Sequence, residues 1–378
     1  MSVCLTGAKI VTADEVVEGS IICEDDSIVE VSATPVAAAE HVDGDYIIPG
    51  LIDIHTDNLE RHFFPRPNVD WDPVSAAVIH DGNCLSVGVT TVFDSLSVGS
   101  WSGKEARHVD NLKRLVDGLG EARNQGQARA EHFIHWRCET TNPFLPELFE
   151  AVVDHPLTRL LSVMDHTPGQ RQYPDLEKHL ARWQAHAGLT EEEARRRYHE
   201  LVENQKNHSE PNRKLIAEQA KARGLSLASH DDQYESHVEE AHSIGASISE
   251  FPTTLEAARA ARERGMMVAM GGPNLMRGGS YSGNVSAAEL ASEGLLDLFA
   301  SDYVPRSMIE AAFKLTEAPF GWSLPDAIAT VSRNPAQSVG LDDRGSLKAG
   351  QRADFVRVRL IEGRPIVAGV WVQGQRVN

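Results

Sequence analysis

The chain has 378 residues, 41% of them hydrophobic, and its 36 Lys and Arg against 55 Asp and Glu give a formal charge of −19. This length accommodates a barrel of roughly 250 residues and a smaller domain. The charge argues against non-specific binding to nucleic acid, and the absence of an apolar run of ~18 residues argues against a membrane span. An anionic small-molecule substrate is still compatible with this charge, because a metal site or converging arginines invert the charge locally.

The cysteines and the N-terminus predict the compartment of the protein. The four cysteines, at positions 4, 23, 84 and 138, are far apart and show no C-x-x-C spacing. The N-terminus has neither the basic segment nor the apolar core of a signal peptide. We therefore expect a reduced, cytoplasmic protein.

Both ends of the chain contain short alternating runs that are typical of β-strands. These runs occupy residues 5–11, 20–23 and 27–31, and then residues 354–358, 365–373 and 375–378. We predict one small β-sandwich built from residues 1–48 and 339–378, with a barrel over residues 49–338 inserted between its two parts.

Apolar runs alternate with helical stretches between these two ends. The eight predicted strands are Ile48–Ile54, Thr90–Asp94, His132–Cys138, Arg159–Met164, Leu225–Ser229, Ala246–Phe251, Met266–Met270 and Leu296–Ser301. Eight strands with helical crossovers predict an α/β fold, a (β/α)8 TIM-like barrel with its active site at the carboxyl ends of the strands. A doubly wound sheet is the alternative, but it usually has fewer strands at this length.

The connection after the fourth strand is unusually long. It leads into a charged helical insert of about residues 174–210, in which Thr190 to Glu193 form a capping box. The insert is either a lid over the catalytic face or a solvated pair of surface helices, and the sequence leaves both interpretations open.

Side chains of metal-ligand type follow five of the predicted strands. Because residues two apart on a strand point to the same side, His55 and Asp57 aim at one spot. The candidate ligands are His55, Asp57, Glu139, His166, His230 and Asp302. The mixture of imidazole and carboxylate predicts one or two divalent first-row metal ions, zinc or manganese, and Glu139 is the candidate bridging carboxylate. The structural alternative for Asp302 is a cap of the following helix.

A second group of residues on the predicted rim is cationic or glycine-rich. Loops after the seventh strand of TIM barrels commonly bind phosphate through backbone N–H groups, and arginine adds bidentate hydrogen bonds. The candidates are Arg66, Arg137, Gln170, Arg171, Arg277, Gly278, Gly279, Ser280 and Asn284. They predict an anionic substrate; alternatively, Arg66 and Arg137 only pair with rim carboxylates.

Several motifs resemble known hydrolases. The stretch I-I-P-G-L-I-D-I-H-T-D-N-L-E at 47–60 resembles the opening of the amidohydrolase superfamily, metal-dependent hydrolases on a (β/α)8 barrel. The following strings together are similar to the α-D-ribose 1-methylphosphonate 5-triphosphate diphosphatase family of bacterial phosphonate degradation: P-R-P-N-V-D-W at 65–71, M-D-H-T-P-G-Q-R-Q at 164–172, S-H-D-D at 229–232, E-F-P-T-T at 250–254 and R-G-G-S-Y-S-G-N at 277–284.

The resemblance implies release of pyrophosphate from the ribose triphosphate, leaving the 5-phosphate. It gives Asp302 the role of base towards the attacking water, and His230 or the neighbouring Asp231 would help to position that water. Arg171 and Arg277 would contact the polyphosphate, and Arg66 or Arg137 the phosphonate or the scissile phosphate.

The superfamily's frequent dimers and tetramers imply a homo-oligomer. The sixth strand departs from the superfamily pattern, since it ends in Glu250 where a histidine is common. Two alternatives remain open: an amidohydrolase acting on a C–N bond, such as a deacetylase, deaminase or cyclic amidase, and a non-enzymatic metal-bound subunit.

Overall fold

The computed structural model describes residues 2–37, 39–66, 69–100, 108–280 and 282–378, so positions 67, 68 and 281 of the quoted motifs lie outside the described residues. Sixteen strands lie within these ranges. In chain order they are β1 (Ser2–Val11), β2 (Val16–Glu24), β3 (Ser27–Ser32), β4 (Glu40–His41), β5 (Tyr46–Pro49), β6 (Leu51–Thr56), β7 (Val89–Val98), β8 (Glu131–Glu139), β9 (Thr158–Met164), β10 (Ser226–His230), β11 (Ile248–Glu250), β12 (Met267–Gly271), β13 (Leu298–Ala300), β14 (Phe355–Ile361), β15 (Arg364–Val372) and β16 (Gln375–Arg376).

The helices of the described ranges fall mainly between the strands of the central part of the chain. They are α1 (Asn58–Phe63), α2 (Pro73–Ser86), α3 (Val109–Asn124), α4 (Leu145–Glu150), α5 (Leu176–Ala187), α6 (Glu191–Arg223), α7 (Glu235–Ser243), α8 (Leu255–Glu263), α9 (Gly272–Arg277), α10 (Ala287–Ser292), α11 (Ser307–Leu315), α12 (Leu324–Ala329) and α13 (Arg333–Ser338). Of these helices, none combines the length and the apolar character that crossing a bilayer requires.

Strands from both chain ends form one small mixed sheet. Its order is β16-β15-β14-β5-β1-β2-β3, and β4 pairs with β1. β5 runs parallel to β1 and antiparallel to β14, with Pro49 opposite Phe355. Phe355 stacks on Trp371 with ring centroids 4.8 Å apart, in an apolar core that also contains Ile10 and Ile47. The prediction that the two chain ends build one small β-domain is confirmed.

The eight strands β6 to β13 form a parallel barrel in chain order. Thr56 at the end of β6 forms a parallel bridge with Asp302 beyond β13. There the Asp57 N–H donates to the Asp302 carbonyl at 2.8 Å, and the Asp302 N–H donates to the His55 carbonyl at 2.9 Å. These bonds join the first and eighth strands at their carboxyl ends, and the predicted (β/α)8 architecture is confirmed.

A buried apolar cluster fills the inside of the barrel. It takes side chains from every one of the eight strands: Ile52, Ile54, Phe93, Phe133, Leu160, Ala228, Ile248, Ala269, Leu298 and Ala300. A second, larger cluster packs the helices on the strands from outside. Because the interior is packed, the polar residues at the carboxyl ends form the floor of an open cavity rather than the wall of a pore.

The predicted strand Ile48–Ile54 is two strands, one in each sheet. The N–H of Gly50 donates to the Asp354 carbonyl of the small domain at 2.9 Å, and the next N–H, of Leu51, donates to the Gly88 carbonyl at 3.0 Å. A Cβ on Gly50 would lie 2.2 Å from the Thr90 hydroxyl oxygen, so the close approach at this junction requires glycine. The prediction of one continuous strand is wrong here because both halves are buried and the apolar pattern continues through the junction.

The predicted insert is present as α5 and the first part of α6. The capping box is confirmed, since the Glu193 N–H donates to the Thr190 hydroxyl and the Thr190 N–H donates to the Glu193 carboxylate. α6 continues for 33 residues through Pro211, and its last turns bury Ile216 and Ala220 against the barrel. The insert is therefore an extension of a barrel helix.

Candidate active site

The strand-end residues that were predicted as metal ligands all line one cavity at the carboxyl end of the barrel. The cavity has a volume of about 930 Å³. Its lining includes His55, Asp57, Glu139, His166, His230 and Asp302. The parallel barrel brings these residues together because they lie at the carboxyl ends of five strands, β6, β8, β9, β10 and β13, which share one rim.

A buried carboxylate orients two of the histidines. Glu250, the last residue of β11, accepts hydrogen bonds from His55 Nδ1 and from His230 Nδ1, both at 2.7 Å. Although burial opposes its charge, His135, His230 and Arg137 hold the pKa of Glu250 below its usual range. A carboxylate only accepts, so both Nδ1 atoms carry the proton and both Nε2 atoms keep a lone pair. Burial also lowers the pKa of His230 to about 3, which keeps its imidazole neutral.

A third histidine is oriented in the same way by Glu139. Its Oε2 accepts from His166 Nδ1 at 2.6 Å, and its Oε1 accepts from the Thr141 hydroxyl at 3.0 Å. Asp231 Oδ2 lies 3.9 Å from His166 Nε2 and 3.4 Å from His230 Nε2, and this buried oxygen has no hydrogen-bond partner among the described residues. A buried carboxylate oxygen facing two imidazole Nε2 atoms fits a divalent cation, which would bind both rings in their neutral form.

His55, Asp57 and Asp302 form a second group whose ligand atoms all lie within 4.8 Å of one another. His55 Nε2 is 3.7 Å from Asp57 Oδ1. Burial, and then the charge of Asp57, raise the pKa of Asp302 to about 7. The guanidinium of Arg137 contacts both groups, because Nη1 donates to Asp57 Oδ1 at 2.9 Å and Nη2 lies 3.4 Å from His230 Nε2.

The backbone at three of the strand ends adopts a conformation that is rare for residues other than glycine. Asp231, Phe251 and Asp302 have φ values of +55°, +57° and +54°. Each left-handed residue costs roughly 1–2 kcal/mol, and such residues concentrate at functional sites. α11 begins only at Ser307, so Asp302 does not cap it, and that structural alternative is excluded.

Some of the predicted substrate-binding residues line the same cavity. They are Arg137, Arg277, Gly279, Ser280 and Asn284. The Arg277 guanidinium reaches the Tyr303 hydroxyl at 3.3 Å. The loop after the seventh strand therefore forms part of the cavity wall, as a phosphate-binding loop would.

Four other predicted residues lie away from the cavity lining. Arg171 is buried, and its Nη1 donates to Asp232 Oδ1 at 2.9 Å and to the His230 carbonyl at 3.2 Å. Gln170 donates to Asp165 at 3.0 Å. Arg66 is exposed, and Gly278 ends α9 with a φ of +82°. Arg171 and Gln170 support the strand-end loops, and the structure does not bring these four residues to the cavity.

Sequence reasoning missed the orienting role of Glu250. It named Asp231 as a possible helper in positioning the attacking water but left it out of the ligand set. The sequence did contain one signal for Glu250: its carboxylate ends a buried strand, and a buried charge requires partners. The partners themselves, on β6 and β10, become visible only in three dimensions.

Comparison with known proteins identifies the family of the chain. The amidohydrolase family model matches residues 217–377. The curated α-D-ribose 1-methylphosphonate 5-triphosphate diphosphatase of Escherichia coli (strain K12) is 41% identical over 376 residues, which cover 99% of this chain and 99% of that protein. The chain belongs to this diphosphatase family. The recognition of the family from its motifs is therefore confirmed.

Solved structures of amidohydrolase type share the fold. The 5-methylcytosine deaminase from Klebsiella pneumoniae liganded with phosphonocytosine matches with a TM-score of 0.66 and 14% identity, over 99% of this chain and 98% of that chain. The N-acetylglucosamine-6-phosphate deacetylase from Pasteurella multocida matches with a TM-score of 0.62 and 14% identity, over 100% and 99%. At these identities the likeness shows the fold alone.

Proposed function

We propose that this protein hydrolyses α-D-ribose 1-methylphosphonate 5-triphosphate to α-D-ribose 1-methylphosphonate 5-phosphate and pyrophosphate. The relationship to the diphosphatase over 99% of both chains carries the proposal. The cavity supports it, because carboxylate and imidazole ligands on its floor are combined with arginines on its walls. Metal ligands on the floor and arginines on the walls suit a polyphosphate substrate, because both metal ions and guanidinium groups offset phosphate charge.

The two groups of ligand atoms would suit two divalent cations, zinc or manganese. His55, Asp57 and Asp302 would hold one, and His166, His230 and Asp231 the other. Such a cation acts as a Lewis acid that lowers the pKa of water and offsets phosphate charge. The bridging role of Glu139, the cytoplasmic location and the homo-oligomeric state stay predictions.

The chain's own residues then have defined tasks. Asp302 accepts the proton of the attacking water, whose oxygen bonds to the α-phosphorus while the bond to the α–β bridging oxygen breaks. Pyrophosphate leaves with that electron pair. Arg137, fixed by Asp57 at 2.9 Å, presents its charge between the two ligand groups, where negative charge accumulates on the transferring phosphoryl group.

The decisive experiment combines ³¹P NMR with hydrolysis in ¹⁸O-labelled water, using purified protein before and after chelation and after return of zinc or manganese. We expect metal-dependent pyrophosphate and a 5-phosphate product that carries the label. Orthophosphate would place the attack at the γ-phosphorus, and labelled pyrophosphate would place it at the β-phosphorus. No turnover with metals present, together with activity on N-acetylated sugars or nucleobases, would favour C–N hydrolysis.

A further inference from the structure

The helical insert supplies one wall of the cavity, which we call the insert wall. It consists of Tyr173, His179, Arg182, Trp183 and Arg197. Tyr173 precedes α5. His179, Arg182 and Trp183 lie on α5, and Arg197 lies on α6. The insert therefore faces the ligand groups across the same open space, which favours the lid interpretation over that of a solvated helical pair.

The polarity of the insert wall is opposite to that of the floor. The carboxylates that line the cavity, Asp57, Glu139, Asp231 and Asp302, all belong to the barrel strand ends. Besides Gln172, Ala187 and Leu201, the insert contributes arginines, a histidine and aromatic rings to the described lining, and no carboxylate, although the chain carries a formal charge of −19. Within the described residues Arg182 makes no ion pair, so its charge is available to an anion.

Aromatic contacts position Arg197 and His179 in the insert wall. The Arg197 guanidinium lies over the Trp183 ring, 4.9 Å from its centroid. The His179 ring lies 4.6 Å from the Trp183 ring and 4.5 Å from the Tyr173 ring. Guanidinium groups fixed on aromatic faces lose little conformational freedom when they bind an anion.

His179 adds a polar ring to the insert wall. Its buried Nδ1 has no hydrogen-bond partner among the described residues. Burial, and then the charges of Arg182 and Arg197, lower the pKa of His179 to about 4. The imidazole is therefore neutral at pH 7 and can donate a hydrogen bond beside two positive charges.

We propose that the insert wall binds the terminal diphosphate of the substrate and thereby selects a 5-triphosphate over the 5-phosphate product. The inference rests on the proposed function. The α-phosphorus must lie at the floor for attack, so the leaving pyrophosphate extends towards the walls. It is the most highly charged part of the substrate, and two guanidinium groups match its oxygens bidentately.

The test compares Arg182→Ala and the double variant Arg182→Ala/Arg197→Lys with the matched control Arg196→Ala. Arg196 is exposed on α6, beside Arg197, with its Nε 4.0 Å from Glu200 Oε1, and it lies outside the cavity lining. Lysine at position 197 keeps the positive charge but removes the planar guanidinium group that binds an anion bidentately. We expect KM for the triphosphate and the inhibition constant of pyrophosphate to rise about tenfold in the single variant and further in the double variant. The kcat should change less than KM, and the control should match the wild type in both constants.

Calorimetric titration of inorganic tripolyphosphate into the metal-loaded proteins separates this inference from the proposed reaction. Weaker binding to the Arg182 variant than to the control supports the insert wall even if the wild type fails to hydrolyse the ribose triphosphate, a result that would refute only the reaction. Unchanged KM, pyrophosphate inhibition and tripolyphosphate binding in the double variant, with unchanged thermal unfolding, would overturn the insert wall.

Discussion

Replacing Glu250 with glutamine tests how the metal site is oriented. The substitution conserves shape, but an amide offers one acceptor where the carboxylate accepts from both His55 Nδ1 and His230 Nδ1 at 2.7 Å. One histidine keeps its bond, and the other faces an NH2 donor. That histidine must move its proton from Nδ1 to Nε2, and its lone pair no longer faces the cavity.

The expected loss of metal affinity follows from the fact that the two histidines belong to different ligand groups. Removing the partner that orients a metal-bound histidine typically weakens metal binding ~10–100-fold, which equals about 1.4–2.8 kcal/mol. His55 and His230 belong to different ligand groups, so whichever imidazole is turned, one of the two positions loses a ligand. Turnover should fall with metal occupancy and recover in part when free metal is raised.

The assay measures bound zinc and manganese by elemental analysis after equilibration with chelator-buffered metal, alongside kcat on the same samples. Glu263→Gln, the same substitution at an exposed position at the end of α8, is the matched control. Wild-type metal affinity in the Glu250 variant, with the fold intact by circular dichroism, would refute the orienting role.

Three further predictions concern other parts of the molecule. Asp302→Asn should lower kcat by ~10²–10⁴-fold with a much smaller effect on substrate binding, measured by steady-state kinetics; a full-rate variant would exclude Asp302 as the base. Burial opposes protonation of His132, but Asp94 at 2.8 Å and Asp81 at 3.5 Å raise its pKa to about 9. This stabilisation should be complete below about pH 6.5 and lost as the pH rises through about 9, so urea unfolding from pH 6 to 10 should show a decline that His132→Gln flattens. Gly50→Ala, whose Cβ would lie 2.2 Å from a hydroxyl oxygen, should destabilise the protein by roughly 1–3 kcal/mol in urea unfolding, and an unchanged midpoint would contradict the close approach.

The barrel and the floor of its cavity could be predicted from the sequence because both depend on short-range pattern. Apolar runs identify parallel strands, and polar residues that follow them must share one rim. His55 and Asp302 lie 247 positions apart, yet the closure of the barrel makes them neighbours at 2.9 Å between backbone atoms. Once the fold is predicted as a closed barrel, this long-range contact follows from it.

The contacts of the individual arginines and the orientation of the insert could not be predicted, because they depend on which side chains meet in the folded protein. Arg171 and Arg277 have the same chemistry and both follow barrel strands, but one is buried against Asp232 and the other lines the cavity. The charge pattern of the insert was equally uninformative, since helices facing solvent and helices facing a polyanion both carry arginines. Only the three-dimensional position of α5, whose residues line the cavity, decides between them.

The position of β14 has a consequence for synthesis on the ribosome. In the small sheet β14 lies between β15 and β5, and its register places Phe355 opposite Pro49. The hydrogen-bonding edge of β5 therefore stays open while the entire barrel emerges, and it is closed only when the last strands leave the exit tunnel. An open strand edge invites pairing with other nascent chains, so premature termination after the barrel should yield a product that aggregates although every residue of its catalytic floor is present.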